Sequence, residues 1–216
     1  MRFQLVVIAK EPAPGQVKTR LCPPCTPERA AEIARASIED TLDAATATPA
    51  TRHVLLLSGG YPQRPGWTTV PQRGNGLAER LCHGFKDTAL AGAATLLIGM
   101  DTPQVTAPML ESVASRLSNA DAVLCPAVDG GWWALALRDP AAGAVLASVP
   151  MSRQDTCSLT RQALMDNGWR VSSGPVLRDV DTMGDALDVA SSCSATRFAA
   201  AVATVATVRL RAGDLT

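Results

Sequence analysis

The chain has 216 residues, and its 20 Lys plus Arg match its 20 Asp plus Glu for a formal net charge of zero. Hydrophobic residues make up 47% and charged residues 19%, which suits a packed core and not a disordered tail. Neutrality argues against the broad basic face that nucleic acid or a membrane surface requires, and the length predicts a single α/β domain over residues 1–216.

The first strand is predicted over Arg2–Ala9, a Val-, Ile- and Leu-rich run too short for a signal sequence. Lys10–Leu21 is a loop punctuated by Pro and Gly. Thr26 caps a helix that has Pro27 at its first position and Glu28 in its first turn. Ala30, Ile33, Ala34, Ile38 and Leu42 follow at helical spacing. Further strands are expected at His53–Leu57, Ala94–Ile98, Ala122–Cys125 and Trp132–Leu137, with a short one at Val176–Val180. Helices are expected at Leu77–Ala91, Pro108–Leu117, Pro140–Ala147, Ser158–Asn167, Asp185–Ala190 and Thr196–Val205.

Alternating strands and helices predict a mostly parallel sheet covered on both faces. No segment is long and apolar enough to span a bilayer, so the expected location is the cytoplasm. Of six cysteines, only Cys22 and Cys25 are closely spaced. No second pair or matching histidine completes a zinc pattern, and the pair lies in a loop where a redox motif would open a helix. These are read as reduced thiols.

Ligands of such sheets bind beyond the carboxyl ends of the strands, so the residues that follow each strand carry the information. After the first strand come Ala9, Lys10, Gly15, Lys18 and Arg20. Three cations in one Gly/Pro-shaped loop suit a polyphosphate, although the spacing matches neither a P-loop nor Gly-x-Gly-x-x-Gly. After the third expected strand, Asp101 precedes Thr102-Pro103, a place where a carboxylate can hold Mg²⁺ beside phosphate oxygens. It equally suits an N-cap.

Asp129-Gly130-Gly131-Trp132-Trp133 permits close backbone approach and also reads as a hairpin turn. The two Trp side chains point to opposite faces, so one of them at most faces a pocket. Gln72, Gly74 and Gly76 precede a helix and either contact a base and ribose or form an ordinary loop with Asn75 or Gly76 leading into that helix. In Asp179-Val180-Asp181 the two carboxylates share a face if extended, and Asp185 belongs in the next helix's first turn. Were Asp181 within about 5 Å of Asp101, their repulsion of about 3 kcal/mol would be relieved by a bound cation.

Taken in order, Lys10-Glu11-Pro12-x-Pro14-Gly15-x-Val17-Lys18-Thr19-Arg20-Leu21, Gly99-x-Asp101-x-Pro103, Asp129-Gly130-Gly131 and Asp179-Val180-Asp181-Thr182 resemble an uncharacterised glycosyltransferase-like family. That family is often found beside radical-SAM and selenodomain proteins. More distantly, the chain is similar to phospholactate guanylyltransferase and the molybdenum-cofactor nucleotidyltransferase. The resemblance spans nearly the whole chain. It implies the nucleotide-diphospho-sugar transferase (GT-A) fold, with a nucleotide over the first strand's loop and Mg²⁺ or Mn²⁺ on Asp101 and Asp181. The chain departs from the family pattern at Met100, at Thr182-Met183-Gly184-Asp185 and at Cys25.

The resulting expectation is transfer of a nucleotidyl group from a nucleoside triphosphate to a small phosphorylated or carboxylate acceptor. Lys18, Arg20 and Asp101 are the expected catalytic residues. Ala9, Lys10, Gly15, Lys18, Gln72, Gly74 and Gly76 are expected at the nucleotide, and Asp129, Gly130, Gly131 and Trp132 at the acceptor. Glycosyl transfer from a nucleotide-sugar is the alternative on the same fold, and a nucleotide-binding regulator without turnover is the third. Nucleic acid and membrane are not expected partners.

Overall fold

The structure, a computed structural model, describes residues 1–213, with side chains as far as Val205. Seven strands form one sheet: β1 (Phe3–Lys10), β2 (His53–Ser58), β3 (Trp67–Pro71), β4 (Ala94–Gly99), β5 (Ala122–Pro126), β6 (Trp132–Leu137) and β7 (Val171–Ser173). Their order across the sheet is β3-β2-β1-β4-β6-β5-β7. Only β6 runs against its neighbours β4 and β5; the other pairings are parallel. The helices are α1 (Pro27–Ala47), α2 (Leu77–Thr88), α3 (Ala107–Ser115), α4 (Thr156–Asp166), α5 (Met183–Ser192) and α6 (Arg197–Gly213).

Because helices cover both faces, the central strands are apolar almost throughout, as β1 shows with its buried run from Phe3 to Val7. Alternation then sorts the side chains. Leu5, Val7 and Ala9 join Ile38 and Leu42 of α1 and Leu110 of α3, whereas Val6 joins Leu81 and Phe85 of α2. Phe85 is fully buried, a burial that contributes about 2–3 kcal/mol. A third cluster lies behind the basic loop, where Leu21, Ile33, Val180 and Phe198 hold α5 and α6 against α1.

Local signals set several helix starts. Thr26 accepts from the Arg29 N–H at 3.3 Å, with Pro27 following as the sequence predicts. Thr182 and Asp185 form a reciprocal capping box that opens α5.

Four expectations are corrected. β3 and β7 were not anticipated: both are short, largely solvent-touched edge strands, so neither carries the apolar pattern of a buried strand. Pro71 is tolerated in β3 because an edge leaves backbone groups unpaired. Pro140–Ser148 is a 3-10 segment rather than an α-helix, and α2 stops at Thr88 rather than Ala91. Val176–Val180 is not a strand and makes a single bridge, Ala127 to Leu177. All six cysteines are free thiols. Among the described residues no helix is long and apolar enough to cross a membrane.

Candidate active site

A cavity of about 870 Å³ opens at the carboxyl ends of β1 and β4 and the start of β6. Its lining includes Ala9, Lys10, Arg20, Gln72 and Trp132, with Gly131 and the carboxylates of Asp101, Asp129, Asp179 and Asp181. These residues come from six separate stretches of chain, and the sheet's twist and the crossovers bring them together.

The acidic wall is built by backbone pairing. The Val180 N–H donates to the Asp101 carbonyl at 2.9 Å, the Leu177 N–H to the Pro126 carbonyl at 3.2 Å, and the Val128 N–H to the Leu177 carbonyl at 3.0 Å. The 176–180 segment is therefore extended and tied to the ends of β4 and β5 without joining the sheet as a strand. Carboxylate oxygens of Asp129, Asp179 and Asp181 lie within 4.8 Å of one another. Burial, followed by the neighbouring Asp129 carboxylate, pushes Asp179 up to about 6.

Three carboxylates so arranged form an all-oxygen donor set that fits a hard divalent cation. The raised Asp179 points the same way, since a bound cation would relieve the repulsion. Asp181, expected to share a metal with Asp101, is grouped here with Asp129 and Asp179, and Asp101 lines the same cavity. Asp129, expected at the acceptor, sits among the acids because the turn after β5 aims it back over the strand ends. Its Oδ1 also accepts from the Gly131 N–H at 2.8 Å.

Asp101 is engaged elsewhere. Its Oδ1 lies 2.5 Å from the Lys18 ammonium, whose side chain is 6% exposed. The contact is an ion pair without the alignment of a good hydrogen bond. Lys18 also donates to the Val180 carbonyl. Lys18, expected at a phosphate, does not line the cavity; its side chain is held by Asp101 and the Val180 carbonyl, and its backbone is left-handed at φ 49 and ψ 35.

The remaining cations do face the opening. Arg20 is 75% exposed and pairs with Asp181 at 3.1 Å, and exposed Lys10 donates to the Gln16 carbonyl at 3.0 Å. Met100 has a role that the sequence did not suggest. Its sulfur accepts the Lys10 N–H at 3.2 Å, and its carbonyl accepts the Ser37 hydroxyl at 2.6 Å. The end of β1 is thereby joined to the Asp101 loop and to α1.

Gln72 spends its amide N–H groups on the Ala9 and Leu56 carbonyls, at 2.7 and 3.0 Å. It pins the strand ends beside the cavity that it lines. Gly15, Gly74, Gly76 and Gly130 do not line the cavity. Gly130 is a packing position: it holds φ +91, and an added Cβ would stand 2.0 Å from the Gln154 carbonyl oxygen. Trp133 is buried and donates to the Pro175 carbonyl at 2.9 Å, while half-buried Trp132 packs on the opposite face and donates to Thr160; against expectation, both residues line the cavity.

Sequence reasoning missed Arg80, Met151 and Arg153, which also line the cavity. Arg153 pairs with Asp155 at 2.9 Å and stays 58% exposed. Nothing in its local sequence marks it, since the loop that carries it is placed by contact with Gly130.

The architecture is that of a nucleotide-diphospho-sugar transferase (GT-A) type fold, with an acid cluster and exposed cations at its carboxyl edge. The chain belongs to the DUF2064 family, described as "Uncharacterized protein conserved in bacteria", whose profile matches residues 31–153. No curated protein matches it in sequence.

Among solved structures, it is similar to a provisionally named nucleotide-diphospho-sugar transferase from Desulfovibrio desulfuricans G20, at 24% identity and a TM-score of 0.77, covering 86% of this chain and 85% of that one. It is also similar to Rv0371c from Mycobacterium tuberculosis H37Rv in complex with manganese, at 18% identity and a TM-score of 0.54, covering 88% and 98%. CMP:2-keto-3-deoxy-manno-octonic acid synthetase complexed with CTP matches at 12% identity and a TM-score of 0.55, covering 90% and 99%. At these identities the likeness establishes the fold.

Proposed function

We propose that the protein is a divalent-metal-dependent nucleotidyltransferase, moving a nucleoside monophosphate from a nucleoside triphosphate to a small phosphorylated or carboxylate acceptor. The observation that carries this reading is the meeting, at one cavity, of the Asp129, Asp179 and Asp181 carboxylates with the exposed cations of Lys10 and Arg20. Mg²⁺ or Mn²⁺ held by those three carboxylates, with Asp101 beside them, would neutralise charge on the phosphate oxygens.

Lys10 and Arg20 offer an ammonium and a guanidinium to the triphosphate. Gln72 keeps the end of β1 in place beside the nucleotide. Trp132 and Met151 give the acceptor an apolar wall, and Arg153 offers a guanidinium to its anionic group. An acceptor oxygen attacks the α-phosphorus in line as the bond to pyrophosphate breaks. This chemistry needs positioning and charge neutralisation rather than a covalent nucleophile. Motif resemblance to phospholactate guanylyltransferase and the molybdenum-cofactor nucleotidyltransferase supports the same reaction class.

Glycosyl transfer from a nucleotide-sugar is the second reading, favoured by the similarity to the Desulfovibrio protein, whose name carries that activity. One assay separates the two. The protein is incubated with each nucleoside triphosphate, Mg²⁺ and a panel of small phosphorylated and carboxylate acceptors, and pyrophosphate is followed. Acceptor-dependent pyrophosphate release with a nucleotide-linked product is the expected result. Consumption of nucleotide-sugars, with triphosphates left intact, transfers the case to glycosyl transfer.

A further inference from the structure

We propose that Lys18 is a positioning residue. Its ammonium clasps Asp101 to the 179–181 segment and serves as the resident buried cation of the acidic wall, rather than as a ligand to substrate phosphate. The inference rests on reading this cavity as a metal and nucleotide site, but it concerns how the protein holds its own carboxylates.

Three observations carry it. Lys18 and Ser152 are the two non-glycine residues with positive φ among the described residues, a region that disfavours residues with a Cβ and is kept where the surroundings enforce it. The conformation turns a side chain that is 6% exposed under the loop, where Nζ meets Asp101 Oδ1 at 2.5 Å and the Val180 carbonyl. A buried ammonium needs such partners.

Next, the Val180 N–H donates to the Asp101 carbonyl at 2.9 Å. The two segments, about 80 residues apart in sequence, are therefore joined once by backbone and once through Lys18. Finally, Asp101, Asp129, Asp179 and Asp181 share this wall, and the other cation on it, Arg20, is 75% exposed and screened by solvent. Lys18 is the one placed where its charge counts most.

The test uses the full chain without metal or nucleotide. Lys18→Met should lower the melting midpoint of the metal-free protein by about 5–10 °C, since it strands Asp101 beside three other carboxylates. Adding Asp101→Asn to Lys18→Met should recover at least about half of that loss, because it removes the stranded charge. Mn²⁺ should raise the midpoint of Lys18→Met more than that of the parent, since the ion then supplies the missing positive charge. Lys18→Arg should fall between the two.

A Lys18→Met protein with the parental midpoint and the parental response to Mn²⁺, but weaker nucleotide binding, would overturn the proposal and return Lys18 to the phosphates. If Lys18→Met does not fold, recovery of folded protein by Asp101→Asn supports the proposal, and failure of the double variant to fold overturns it. Because melting and Mn²⁺ response need no turnover, these results stand whether or not any triphosphate is consumed.

Discussion

The two ends of the sheet make an instructive pair. The carboxyl end holds the cavity of about 870 Å³ with its acid cluster. The amino end holds another of about 720 Å³, lined by Arg2, Lys86, Arg138 and small apolar residues. Both are roomy and both carry cations, so neither volume nor positive charge distinguishes them. At the amino end the charges are spent or lie apart. Arg138 donates to the Leu117 and Ala120 carbonyls, and Asp139 caps the segment after β6 by accepting from the Ala141 N–H at 2.9 Å. At the carboxyl end the acids crowd one another, and Asp179 is forced to hold its proton more tightly. Unrelieved charge, more than empty space, distinguishes the end that we propose is functional.

The contrast can be tested from its strongest consequence downward. Asp181→Asn removes one of three clustered carboxylates, and metal-dependent pyrophosphate release should fall about 100-fold or more, measured at saturating triphosphate. Retained turnover would dissolve the distinction between the two ends. Gly130→Ala meets both a positive φ and the Gln154 carbonyl, and denaturant unfolding should show a loss of about 2–4 kcal/mol.

Asp179→Asn should stabilise the metal-free protein by about 1–2 kcal/mol at pH 7. The sign follows from the raised pKa. Between the ordinary carboxylate value and about 6, the folded protein keeps a proton that the unfolded chain has released. Stability is therefore lost as pH rises through that window, and the variant's advantage should vanish below about pH 4. Smallest of all, Lys86→Ala at the amino-end cavity should leave triphosphate affinity unchanged in calorimetry. A clear loss there would mean that the second cavity also serves the nucleotide.

The sequence exposed those parts of the site whose chemistry is written locally. Arg20, Asp101 and Asp129 lie in the loops after β1, β4 and β5, strands whose apolar runs announce themselves, and Asp181 follows a short apolar stretch that is not a strand; each stands at the cavity. The place of Asp185 in the first turn of α5 was legible because a helix start is decided within a few residues, although Thr182 was not read as its cap. Grouping was not legible. Spacing allowed Asp179 and Asp181 to share a face, but not which partner they would meet. The direction of Lys18 depends on a backbone turn that no neighbouring residue type announces. Arg153 reaches the cavity only because its loop packs against Gly130.

By itself, then, the sequence determined the buried strands, the helix starts and the family motifs, because hydrophobic patterning and capping act over a few residues. Only the tertiary structure decided that β3 and β7 would complete the sheet's edges, since edge pairing depends on what the neighbouring strand leaves open. It likewise decided that Asp129 would join Asp179 and Asp181 while Lys18 turned to Asp101. Electrostatic grouping is a matter of distance in space, and here it joins side chains up to about 160 residues apart in the chain.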